Sequence, residues 1–141
     1  MKTSARNVFK GQITKVNKNG ILVEVGLETE SGLGITAIIT QTSCQNMQLA
    51  PGKVITAMVK APWVNVLPSD ERAEAAPVNC YEGKVESLLR DNMACEILVE
   101  LSKGAHVCAL YANGASPAAE IAPGASVVVH FSPFSVILTE N

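Results

Sequence analysis

Displaced against itself by 72 residues, the 141-residue chain aligns from end to end without a gap. Gly11 falls on Gly83, Glu24 on Glu96, Gly32 on Gly104 and Ala37 on Ala109. The LAPG of Leu49–Gly52 falls on the IAPG of Ile121–Gly124, and Val64 falls on Val136. Apolar character is shared more widely than identity, as in the pairs Ile13/Val85, Val25/Ile97, Ile35/Val107 and Ile55/Val127. Chance supplies one shared APG; it does not supply the same spacing of glycines and apolar residues over the whole length. An internal repeat is the strongest constraint a sequence places on its fold, because both copies must then adopt one architecture. The expected organisation is one domain over residues 1–68, a linker over 69–76 and a second domain over 77–141. Most of the linker falls in PSDERAEA, residues 68–75, a polar and charged stretch.

Within each copy the apolar period is two. GQITKV, GILVEVGL, ITAIIT and VITAMVKAPWVNVL are rich in Val, Ile and Thr and broken by Gly, Pro and Asn, which is strand chemistry. GKVESLL, MACEILVEL, AHVCALYA and ASVVVHFSPFSVIL repeat the pattern. NKNG and LSKG suit tight turns. One short helix is expected before each APG, around Thr42–Leu49 and Ala115–Ile121. Short strands with one short helix predict an all-β chain of two tandem, small, OB-like five-stranded β-barrels. Barrels this small have thin cores, so burial against another barrel or subunit is expected.

Charge narrows the function. Eleven Lys and Arg stand against thirteen Asp and Glu, for a net charge of -2. No broad nucleic-acid or anionic-membrane surface follows from that balance. Aromatic residues make up only 4%, too few for a face that stacks bases or sugars. MKTSARN has no apolar core of a secretory signal, and no run approaches the length of a bilayer span. The four cysteines, Cys44, Cys80, Cys95 and Cys108, show no C-x-x-C spacing, so reduced and mostly buried thiols in a cytoplasmic protein are expected.

The repeat also separates fold from function. Residues kept in both copies, Asn7/Asn79, Gly11/Gly83 and the APG, are read as structural. Copy two has meanwhile lost a polar set drawn from three separate stretches. Ser4 becomes Ala76, Ala5 becomes Pro77, Arg6 becomes Val78, Thr40 becomes Ala112, Ser43 becomes Ala115 and Lys60 becomes Ser132. Joint loss from separate stretches points to one constellation with one purpose. The set offers two permanent cations, hydroxyls and backbone N–H groups, and no carboxylate or imidazole. It therefore lacks a general base, a nucleophile's partner and a metal ligand, and it suits a small tetrahedral oxyanion.

The stretches SARN-x3-G, ITAIITQTS, L-x-PGK and VKAPWV together resemble the molybdate-binding Mop, or TOBE-type, domain, over all of repeat one. The tandem resembles both the molbindins and the C-terminal sensor half of the molybdate-dependent transcriptional regulator. The resemblance implies molybdate or tungstate as ligand, no organic cofactor, no direct protein–metal bond and no enzymatic activity. It implies a homo-oligomer, most simply a dimer, with oxyanion sites shared between chains. Ser4, Ala5 (through its N–H) and Arg6 would come from one chain. Thr40, Ser43, Lys60 and Ala61 (again through backbone) would come from its partner. The worn second copy, APVN where copy one has SARN, favours the sensor-like relative over the storage type. No winged-helix DNA-binding segment is read here, so a sensor half or a free-standing protein of that design is expected, without nucleic-acid or membrane contact of its own.

His106 and His130 lie in strand-like runs of repeat two and are read as ordinary strand residues. Trp63 is read as a packing residue near enough to Lys60 to report on binding, and Lys15, Lys18 and Arg90 as solvated turn charges.

Overall fold

The computed structural model describes residues 2–74, 78–112 and 121–140. The second expected helix falls, apart from Ile121, outside them. All the paired strands are antiparallel, in two five-stranded sheets. In chain order they are β1 (Asn7–Asn19), β2 (Leu22–Thr29), β3 (Gly34–Thr40), β4 (Val54–Val59) and β5 (Asn65–Pro68), then β6 (Cys80–Arg90), β7 (Ala94–Leu101), β8 (His106–Ala112), β9 (Ser126–His130) and β10 (Ile137–Thr139). Among the described residues there is one α-helix, α1 (Gln41–Met47), between β3 and β4. Each sheet belongs to a small OB-like barrel, as the period-two pattern predicts.

The compact units do not coincide with the sequence repeats. One comprises Met1–Val59 with Pro133–Asn141, the other Lys60–Ser132. The first unit holds the sheet β10-β4-β1-β2-β3, and the second holds β5-β9-β6-β7-β8. Each copy thus lends its last strand to the sheet built on the other. The run VITAMVKAPWVNVL, which looks continuous in sequence, is interrupted by a 3-10 turn at Ala61–Trp63, where Pro62 withholds a backbone donor. In the second unit Tyr111 secures the incoming β5. The Val66 amide donates to its hydroxyl at 2.9 Å, and that hydroxyl donates to the Val66 carbonyl at 3.3 Å. In the first unit β10 runs beside β4, and Lys53 pairs with Glu140 at 3.0 Å. The linker stretch Ser69–Glu74 forms 3-10 turns, with Arg72 reaching Glu82 at 2.6 Å on an exposed surface.

The repeat pairs chosen for apolar character form the two cores. Ile13, Val25, Ile35 and Ile55 are buried in the first unit; Val85, Ile97, Val107 and Val127 are buried in the second. Full burial of such side chains contributes about 1.5–3 kcal/mol each, offset by the entropy of ordering the chain. The shared glycines have a steric cause. A Cβ on Gly11 would stand 2.7 Å from the Glu28 carbonyl oxygen, and one on Gly83 would stand 2.6 Å from that of Glu100. The APG turns are equally matched: Gly52 (φ 94) donates to Ile13 at 2.8 Å, and Gly124 (φ 89) donates to Val85 at 2.8 Å. Both bonds sit beside a β-bulge, between Ile13 and Lys15 in one copy and Val85 and Ser87 in the other. The four cysteines are free thiols, three of them buried.

Candidate oxyanion site

Ser4, Ala5 and Arg6 form the turn that leads into β1. Ser4 and Arg6 are exposed and Ala5 is half-buried. The Ala5 N–H donates to the Thr3 hydroxyl at 3.2 Å, a partner that the sequence signalled only as a hydroxyl two residues upstream. Where the turn joins the strand, Asn7 is buried and its carboxamide donates to the Val59 carbonyl at 3.1 Å. Asn7 and Val59 also face each other in the β1–β4 ladder. Arg6 and Lys60 are therefore the chain neighbours of one hydrogen-bonded pair.

Thr40 ends β3 and caps α1. Its hydroxyl accepts from the Ser43 N–H at 3.1 Å and donates to the Ser43 hydroxyl at 3.0 Å. Thr-x-x-Ser spacing produces this because a threonine in extended conformation before a helix turns its oxygen back onto the first turn. Both hydroxyls face solvent. Thr40 pairs with Leu22, and Leu22 with Asn19. It thus lies at the Asn19 end of the thirteen-residue β1, opposite the Asn7 end. At about 3.3 Å per residue, the strand puts roughly 40 Å of contour between those ends.

Lys60 and Ala61 open the 3-10 turn after Val59, Lys60 exposed and Ala61 5% exposed. The Lys60 ammonium lies 5.8 Å from the centre of the Trp63 ring. Trp63, expected as a packing residue, is 43% exposed; a Lys-x-x-Trp spacing across a tight turn is the signal for this cation–π contact.

Copy two joins the matching residues by a different bond and without the charges, Asn79 taking a φ of 53. Phe131, at the position of Val59, donates its N–H to the Asn79 carbonyl at 3.2 Å, and the neighbours of that pair are Val78 and Ser132. Ala112 is exposed at the end of β8; the counterparts of Ser4, Ala5 and Ser43 fall outside the described residues.

Fold and site together define a class: a tandem of OB-like barrels in which one copy alone carries a cation-and-hydroxyl set. Residues 3–66 match the TOBE domain model, and the chain belongs to this family of tandem Mop, or TOBE-type, domains. It is 33% identical over 139 residues to a transcriptional regulator ModE of Yersinia pestis, covering 98% of this chain and 52% of that protein. It is 29% identical over 138 residues to the molybdenum-pterin-binding protein MopA of Rhodobacter capsulatus, covering 98% and 52%. The chain thus spans about half the length of these curated relatives. A crystal structure of the cytoplasmic molybdate-binding protein ModG with molybdate bound superposes with a TM-score of 0.90 at 31% identity, covering 100% of both chains.

Proposed function

We propose that this chain binds molybdate, and tungstate alike, as an oxyanion sensor module of the kind found in the ligand-binding half of a molybdate-responsive transcriptional regulator. One observation carries the reading: Arg6 and Lys60 flank the Asn7–Val59 pair, whereas uncharged Val78 and Ser132 flank the matching pair of copy two. Two permanent cations at neighbouring strand ends favour an anion between them. The Ser4 and Ser43 hydroxyls and the Ala61 N–H supply further donors, joined by the Ala5 N–H and the Thr40 hydroxyl once these turn from Thr3 and Ser43 to the anion. No carboxylate or imidazole belongs to the set, so the function is binding, not catalysis.

The site is shared between two copies of the chain. Exposed charges hold an anion weakly in water, so a second surface is needed to exclude solvent. Arg6 and Thr40 stand at opposite ends of β1, which supports the same arrangement. The ladder favours grouping Lys60 with Ser4 and Arg6 of one chain, against Thr40 and Ser43 of the other. This differs, for Lys60, from the division that the family resemblance implies. The working form is then a cytoplasmic homodimer holding one anion per chain, without nucleic-acid or membrane contact by this segment. The free-standing molbindin alternative draws on the full-length match with ModG.

Titration with molybdate tests the proposal, read by calorimetry and by Trp63 fluorescence, which the Lys60 contact makes sensitive to a bound anion. Arg6→Ala and Lys60→Ala should each weaken binding about tenfold or more, since a charge-assisted hydrogen bond contributes about 1.5–3 kcal/mol. Wild-type affinity in the Lys60 variant would overturn the assignment. A ratio of one anion per chain fits the sensor reading; two or more fits storage.

A further inference from the structure

Glu86, Glu100 and His106 of repeat two form a cluster that the oxyanion site does not use. The His106 Nε2 lies 3.5 Å from a Glu86 carboxylate oxygen and 3.7 Å from one of Glu100. One potential ligand atom from each of the three residues lies within 4.8 Å of the others, and all three residues are exposed. From these residues we infer a site for a divalent transition-metal ion of the zinc, cobalt or nickel type, on the outer face of the second barrel. This inference does not depend on the oxyanion reading.

Backbone geometry brings the three together. Glu100 and His106 are directly paired across β7 and β8, which places their side chains on one face. Glu86 occupies the β-bulge between Val85 and Ser87, where the extra residue turns its side chain out of the normal alternation. Repeat one has the same bulge with different contents. Its counterparts are Thr14, Glu28 and Gly34, and the Thr14 hydroxyl there donates to the Gly26 carbonyl at 3.3 Å. The fold thus needs neither a second carboxylate nor an imidazole at this place, and copy two has both.

Chemistry selects the ion. Lys84 stands directly opposite Glu100 across β6 and β7 and offsets one carboxylate, and a bound cation offsets the other. An imidazole nitrogen favours zinc, cobalt, nickel or copper over calcium or magnesium, which prefer oxygen alone. Metal–ligand bonds of about 2.0–2.2 Å place tetrahedral ligand atoms about 3.4 Å apart. The His106–Glu86 separation is near that value already, and Glu100 closes the triad by a small rotation of an exposed side chain. Three protein ligands leave room for water or a further donor.

The chain has only two histidines, so proton NMR of the imidazoles reads the site directly. Untagged, molybdate-free protein is titrated with Zn2+ by calorimetry and with Co2+ by NMR. One saturating Zn2+ per chain is expected, with Co2+ shifting or broadening the His106 ring signals and sparing those of His130. His106→Ala and Glu86→Thr, which restores the repeat-one residue, should each abolish the saturable isotherm. Glu28→Gln, at the matching position of repeat one, should leave it unchanged. Retention of binding by folded His106→Ala, or equal perturbation of both histidines by Co2+, would overturn the inference.

Discussion

The carboxamide of Asn7 donates to the carbonyl of Val59 at 3.1 Å from a buried position, joining the start of β1 to the end of β4. The bond ties together the two strand ends that Arg6 and Lys60 adjoin in sequence. Asn7→Ala removes a buried partner, and a change of this kind costs about 1–3 kcal/mol. A lower midpoint in urea, together with weaker molybdate binding at a temperature where the variant remains folded, is expected. Unchanged affinity in the folded variant would mean that the tie is structural only.

Thr40 combines two roles that one pair of substitutions separates. Its hydroxyl caps α1 through the Ser43 N–H and, in the proposal, faces the anion. Thr40→Ala should cost about 1 kcal/mol of stability and weaken molybdate binding. Aspartate caps helices as well as threonine does but sets a carboxylate beside the ligand. Thr40→Asp should therefore keep the melting temperature close to wild type and abolish binding. Molybdate binding by Thr40→Asp at wild-type strength would remove Thr40 from the site.

Most of the fold is legible in the sequence because a strand buried on one face must alternate. Ile13, Val25, Ile35 and Ile55, with their partners 72 residues on, are core residues for that reason. The exchange of β5 and β10 is not legible. Val66 and Leu138 have the alternation any barrel edge accepts, and the choice of sheet rests on long-range contacts such as Tyr111 to Val66. Comparison of the copies isolates the polar side chains of the proposed site, because they differ between the copies while the core residues and glycines are kept. It does not show that Ala5 donates to Thr3 or that Trp63 lies beneath Lys60, because both depend on local turn geometry. Nor does it show the His106 cluster, whose members are separated in sequence and meet only through a bulge and a strand register.

Gly11 and Gly83 test the division between fold and function from the other side. A Cβ added to either would meet a backbone carbonyl oxygen closer than real Cβ atoms come. Gly11→Ala and Gly83→Ala should each destabilise by about 1–3 kcal/mol, the usual cost of overpacking. Only the Gly11 change lies in the copy with the polar set. Thermal melts should thus fall in both variants, while molybdate affinity, measured well below the melts, should hold in Gly83→Ala. Intact stability in both would show that the close approach is relieved cheaply.

The proposed division of the site between chains makes a prediction about mixtures. If Arg6 and Lys60 act from one chain and Thr40 and Ser43 from its partner, no single mutant chain can complete a site with a copy of itself. Mixing Arg6→Ala with Thr40→Ala chains should then return one working site per heterodimer, built from the unmutated half of each. Lys60→Ala mixed with Thr40→Ala should do the same. Arg6→Ala mixed with Lys60→Ala should not, because each site would still lack one cation. Recovery in that last mixture would move Lys60 to the Thr40 side, the division implied by the family resemblance. Recovery in none of the three would place the site within one chain. Calorimetry on heterodimers purified through two different affinity tags reads the result. Ligand should also hold the competent dimers together on dilution, since an anion that binds only the assembled site stabilises it by mass action.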